Sequence, residues 1–206
     1  MKCTLVFAAA ILASGAAQAA GIGIRAGTTG IGADVAFGVA PTLSARVGYS
    51  ALKWSYDVNT SNANYNGHLK LSNLNGLLDF HPFGPAFRFT GGVILNSNKY
   101  EATGRPSNGA IPGSFNATVE PSRRAAPYLG IGWGNVSGTG VNFYSDLGVM
   151  FMGAPKATLN ADCSGLSASQ CSAVQSQAAA EQARLEDQLK RFKAYPVLNI
   201  GLTIGF

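Results

Sequence analysis

Only two histidines, His68 and His81, could serve this chain of 206 residues as a general base. Nucleophilic catalysis needs a hydroxyl or thiol, a base and an orienting group that converge in space. His68 and Ser72 lie on one alternating segment, and on an extended strand that spacing separates them by roughly 13 Å. His81 has Asp79 two residues back on the same strand face, a pair able to orient an imidazole, but the sequence puts no serine beside it. His81 therefore reads as a turn residue ahead of Pro82. The glycines of "GTTGIGADV" are followed by no helical pattern, so they do not make a dinucleotide loop. No catalytic, cofactor-binding or metal-ligating set is expected, and the chain is expected not to be an enzyme.

Cysteine chemistry is the next candidate. Cys3 lies in an apolar leader, which leaves Cys163 and Cys171, and in an exported chain this pair reads as a disulfide closing a small loop. A metal site would need further ligands nearby, and the sequence supplies none. The leader is "MKCTLVFAAAILASGAAQAA": Lys2, an apolar run from Leu5 to Leu12, and Ala17-Gln18-Ala19 as a cleavage site. This is the pattern of a secretory signal over residues 1–19, leaving 20–206 as one mature domain. No apolar run long enough for a membrane helix follows it.

What remains is charge, and it is scarce. Asp, Glu, Lys and Arg make up 12% of the chain, about half of the ~25% usual in soluble domains. Apolar and polar residues alternate in segment after segment: 22–26, 31–39, 43–57, 69–81, 87–100, 119–134, 141–152 and 192–206. Alternation at period two means strands with one apolar face. Parity switches between 22–26 and 31–39, by a hairpin or by a bulge. Barrels of this kind have even strand numbers, so the expected fold is all-β: an eight-stranded antiparallel transmembrane β-barrel. Short links at 40–42, 82–86 and 135–140 alternate with long polar ones near 58–67, 102–117 and 153–191, as inner turns and outer loops should. The last loop carries "AVQSQAAAEQARLEDQLKRF", rich in helix formers, and a helix is expected there beside the disulfide.

Parity then sorts the charges. On the inward side fall Arg25, Asp34, Arg46, Asp79, Arg88, Glu120, Arg124 and Asp146, an expected ion network filling the barrel. Eight strands enclose room for little but side chains, and a balanced network avoids unpaired buried charge. Trp54, Tyr56, Trp133 and Phe83 are expected as interfacial aromatics. Lys53, Lys70, Lys99 and Arg123 are expected on outward faces near the long-loop end, where lipopolysaccharide phosphates would meet them.

The last eight residues, "NIGLTIGF", resemble the C-terminal signal read by the outer-membrane barrel assembly machinery, with Asn199, Gly201, Ile204 and Phe206 at its positions. "LLDFHPFGPAFRFTGGV", "APYLGIGWGN", "SDLGVMFMGAP" and "LEDQLKRFKAYPVLNIGL" look like a proteobacterial family of small outer-membrane proteins of unassigned activity, whose broader kin are the barrels of the OmpA-membrane-domain and OmpW type. The resemblance implies an outer-membrane barrel, and the assembly machinery, outer-membrane lipid and lipopolysaccharide are the expected partners. It says little about activity. Two functional readings follow: a structural or interaction protein with loops at the cell surface, or a narrow porin-like channel for small or hydrophobic solutes. A monomer without cofactors or a nucleic-acid partner is expected.

Overall fold

The alternating segments pair with one another along nearly their whole length. The computed structural model describes residues 20–59, 63–106 and 114–206; the leader lies outside them. Among the described residues, eleven strands and one helix follow in order: β1 Ala20–Gly27, β2 Gly30–Ala40, β3 Leu43–Asn59, β4 Ala63–Phe80, β5 Phe87–Asn96, β6 Lys99–Pro106, β7 Phe115–Glu120, β8 Ala125–Trp133, β9 Gly140–Met150, β10 Lys156–Ala161, α1 Ala168–Leu189 and β11 Tyr195–Gly205. Eight of them close a ring, β1-β2-β3-β4-β5-β8-β9-β11 and back to β1, with every pairing antiparallel. The seam runs to the chain's last residue: the Phe206 amide donates to the Ala20 carbonyl at 2.8 Å, and the Ala20 amide donates back at 3.1 Å.

Residues 21–39 form a hairpin. Gly27 pairs with Gly30 across Thr28 and Thr29, and Gly30 adopts φ 107°, a conformation open to glycine and costly for other residues. The parity switch is therefore a tight turn, and it completes the even strand count.

Four expectations are corrected at the outer end. A membrane-spanning strand needs about nine to eleven residues, yet β3 has 17 and β4 has 18. Both continue as a paired ladder to Asn59 and Asn64, through much of the link expected as loop at 58–67. Segment 87–100 divides into β5 and β6, segment 119–134 divides into β7 and β8, and the last long loop contributes β10. These pieces extend the one continuous sheet upward, and this upper sheet, β3-β4-β6-β7-β10, stands above the ring. Here the outward parity reads Lys53, Ser55, Asp57 and Asn66, His68, Lys70. Water instead of lipid on that face makes a strand look like polar loop.

Helix α1 starts five residues before the predicted segment, at a capping box in which the Ser167 hydroxyl accepts from the Gln170 amide and the Gln170 side chain answers. It lies against β10, burying Ala178 and placing Gln182 Oε1 3.1 Å from the Leu159 amide that donates to it. The Cys163–Cys171 disulfide ties the β10–α1 link to the first turn of the helix.

Candidate functional site

Around the ring, one parity is a continuous apolar surface. Ile24, Ile31, Val47, Leu78, Phe89, Leu129, Phe143, Leu147, Leu198, Ile200, Leu202 and Ile204 are all exposed, Ile24 by 65%. An apolar outer wall around a polar interior is the reverse of a soluble barrel, and it suits lipid. The opposite parity is buried, and it is stacked in three layers.

The middle layer holds the charges. Arg46 grips Asp146 with two nitrogens, at 2.7 and 3.1 Å, and reaches Asp79 at 3.2 Å. Arg88 donates to the same Asp146 at 2.6 Å, and its Nε stands 3.3 Å from Asp79 without the alignment of a hydrogen bond. Thr90 donates to Asp79 at 2.6 Å. Beside this group Arg25 pairs with Asp34 at 2.9 Å and contacts Ser50 and Asn75. Tyr144 joins the two groups: its hydroxyl donates to Asp34 at 2.7 Å, and its ring lies 5.3 and 5.4 Å from the guanidinium carbons of Arg46 and Arg88. All six ions are 4% exposed or less, so three arginines meet three aspartates in a neutral, water-poor cluster. Gly132 makes room for it, because a Cβ there would stand 2.6 Å from the Arg88 guanidinium.

The outer layer is apolar: Leu77, Ile94, Ala126, Tyr128, Met150 and Val197, with Met152 and Tyr195 packed on it. The inner mouth is closed by the turn between β8 and β9, which folds inward so that Val136 is fully buried against Ala36 and Tyr144. Between the ions and the outer layer, lined by Arg25, Asn73, Tyr128 and Asp146 among others, is a cavity of about 10 Å³, the size of one water. Leu77, Ile94 and Val197 sit on the charged residues' parity, so apolar–polar alternation gives this layer no signal of its own.

Two members of the expected network lie elsewhere. Glu120 is exposed and pairs with Lys99 at 3.2 Å; Arg124 is exposed and its guanidinium donates to Ser97 Oγ at 3.4 Å. Counting parity from Tyr128 back to Glu120 assumes one unbroken strand, but the chain leaves the ladder between β7 and β8 at 121–124. Trp54 and Tyr56 are also not lipid-facing. They share the parity of Arg46 and Ser50 and point to the inner side of the upper sheet, where Tyr56 stacks on Tyr100 with ring centres 6.5 Å apart. Trp133 does lie on the outward parity, and Phe83 projects from the β4–β5 turn.

The histidines find partners that the sequence did not suggest. Cross-strand pairing sets His68 opposite Ser55 and Glu101, and His68 Nδ1 lies 2.8 Å from Ser55 Oγ. Both partners of that bond are exposed, and the Glu101 carboxylate is held by Lys70 at 2.6 Å and Lys99 at 3.1 Å. His81 is buried at the inner turn, where its amide donates to the Thr42 carbonyl.

The C-terminal signal residues are structural parts of β11. Asn199 is buried and accepts from the Thr29 hydroxyl at 2.9 Å; Gly201 lets the Tyr144 ring lie flat against the strand; Ile204 and Phe206 are exposed on the outward parity. Of the four cations expected near the outer end, three fall in register: Lys53 pairs across to Lys70, and Lys70 to Lys99. The row continues through Glu120 to Lys156 on β10, a strand inside the link expected as loop at 153–191. Arg123 stands apart in the β7–β8 connection. Lys70 and Lys99 hold Glu101 below its usual carboxylate range, and Glu101 with Glu120 raises Lys99.

No protein-family model matches the chain, and no curated protein matches its sequence. Among the solved structures that share its fold are two barrels from one organism. Acinetobacter baumannii CarO2 aligns with a TM-score of 0.63 and 18% identity over 91% of this chain and 98% of that one. Acinetobacter baumannii CarO aligns with a TM-score of 0.62 and 18% identity over 90% of this chain and 97% of that one. At that identity the likeness is one of fold, an antiparallel β-barrel.

Proposed function

We propose that this chain is a non-enzymatic outer-membrane protein, exported with cleavage of residues 1–19, whose barrel is a closed anchor for the sheet and helix it holds above the membrane. The observation that carries this reading is the interior itself. Six paired ions, an apolar layer and an inward-folded turn stack across the bore, and the void between the ions and the apolar layer is about 10 Å³, where even a narrow channel needs a continuous file of waters. The apolar wall, the seam to Phe206 and the likeness to the CarO folds support an outer-membrane location. The resemblance of Asn199, Gly201, Ile204 and Phe206 to the assembly signal supports insertion by the barrel machinery.

Swelling of proteoliposomes in small sugars and amino acids tests the closed reading. Rates equal to protein-free vesicles are expected; faster swelling would favour the narrow channel instead. Incubation with phospholipid and lipid A is expected to release no acyl chains, and release abolished by Ser55→Ala would overturn the non-enzymatic part.

A further inference from the structure

We infer that the row Lys53, Lys70, Lys99 and Lys156 is a binding ledge for the phosphates of the outer-leaflet glycolipid, lipopolysaccharide. The inference rests on the outer-membrane reading above and adds a ligand to it.

Height is the first argument. The last large apolar residues on the outward parity are Tyr49 on β3, Leu74 on β4 and Leu95 on β5. Ala51, Ser72 and Ser97 form the next step, and Lys53, Lys70 and Lys99 the one after. Four residues of strand cover about 13 Å, less when measured vertically because barrel strands tilt. A lysine stem can bend back several ångströms along the wall while its ammonium stays polar. The ammonium groups therefore sweep the layer just above hydrocarbon, where lipid phosphates lie.

Register is the second. Lys53, Lys70 and Lys99 are direct cross-strand neighbours, an arrangement that is destabilising in itself. Only part of the repulsion is relieved within the protein. Glu101 is shared by Lys70 and Lys99, and Glu120 meets Lys99. Four lysines against these two glutamates leave two positive charges on one outward strip. A phosphate dianion supplies that charge. Each lysine near an anionic surface contributes modestly, so the ledge acts as a set.

The carboxylates give the inference a sign that mere basicity does not. Glu101 competes with phosphate for Lys70 and Lys99, so removing its charge should tighten binding. The refolded full-length mature chain is titrated in detergent with purified deep-rough lipopolysaccharide and with the same lipid after dephosphorylation. We expect the phosphorylated lipid to bind at least tenfold tighter. Lys53→Gln/Lys70→Gln/Lys99→Gln should remove that preference, and Glu101→Gln should strengthen it severalfold. Inorganic phosphate at equal concentration should not displace the lipid. Equal binding of the two lipids by the wild type, an unchanged preference in the triple variant, or weaker binding by Glu101→Gln would overturn the ledge. Membrane fractionation of the wild type reports separately on location, so failure of the ledge and failure of the outer-membrane reading are distinct results. The wild-type comparison of the two lipids needs no variant to fold.

Discussion

Removing the charge of Asp146 is the sharpest perturbation of the interior. Asp146 accepts two bonds from Arg46 and one from Arg88, all between 2.6 and 3.1 Å, and it is 2% exposed. In Asp146→Asn both arginines must share Asp79, which already accepts from Thr90, and one positive charge is left uncompensated in a site closed to water. Breaking a buried pair in this way costs about 3–5 kcal/mol. With a urea slope of about 2 kcal/mol per molar, the unfolding midpoint should fall by roughly 2 M. The measurement is urea unfolding of the refolded protein in lipid vesicles, followed by tryptophan fluorescence. Adding Arg88→Gln should recover part of the loss, because the count of cations and anions is balanced again, giving a coupling of at least ~1 kcal/mol. A midpoint shift below about 0.5 M, or strictly additive losses in the double variant, would refute the reasoning that a neutral ion cluster holds the interior together.

Other consequences can be read from the same contacts. Gly132→Ala places a methyl against the Arg88 guanidinium and should cost about 1–3 kcal/mol in the same urea assay. Cys163→Ser/Cys171→Ser should speed hydrogen exchange in the first turns of α1 while leaving the barrel's heat-dependent gel mobility unchanged, since the disulfide touches only the β10–α1 link. Deleting Phe206 removes the terminal amide–carbonyl pair with Ala20 and an aromatic of the assembly signal, so the yield of heat-modifiable, membrane-inserted protein should drop. Because Glu101 titrates below its usual value, its pairing with Lys70 and Lys99 is complete above pH 4.5 and is lost as pH falls through the depressed value. Lys99 titrates above its usual value, so its pairing is complete below pH 10.5 and fades as pH rises through the elevated one. Side-chain NMR of the two groups checks both directions.

The barrel was legible in the sequence because lipid enforces alternation. A charge on the outward face is expensive, so Arg25, Asp34, Arg46, Asp79, Arg88 and Asp146 could be placed inside by parity alone. Legibility stops where lipid stops. Above the apolar band the outward face meets water, and that polar face made the tip of β3, the first residues of β4, most of β6, the start of β7 and all of β10 look like loop. The misplacement of Glu120 and Arg124 has a related cause, since parity cannot be carried across a break such as 121–124 that no apolar pattern marks. Nor could the sequence show that Ser55 and Glu101 flank His68, or that three lysines align, because register between distant strands is set by pairing geometry.

Single-channel recording in planar lipid bilayers tests the central claim most directly. The account predicts a silent membrane at either polarity after verified insertion, and continued silence for Arg46→Ala/Arg88→Ala, because the apolar layer around Met150 and the inward turn at Val136 remain. Discrete current steps from the wild-type protein would contradict a closed interior.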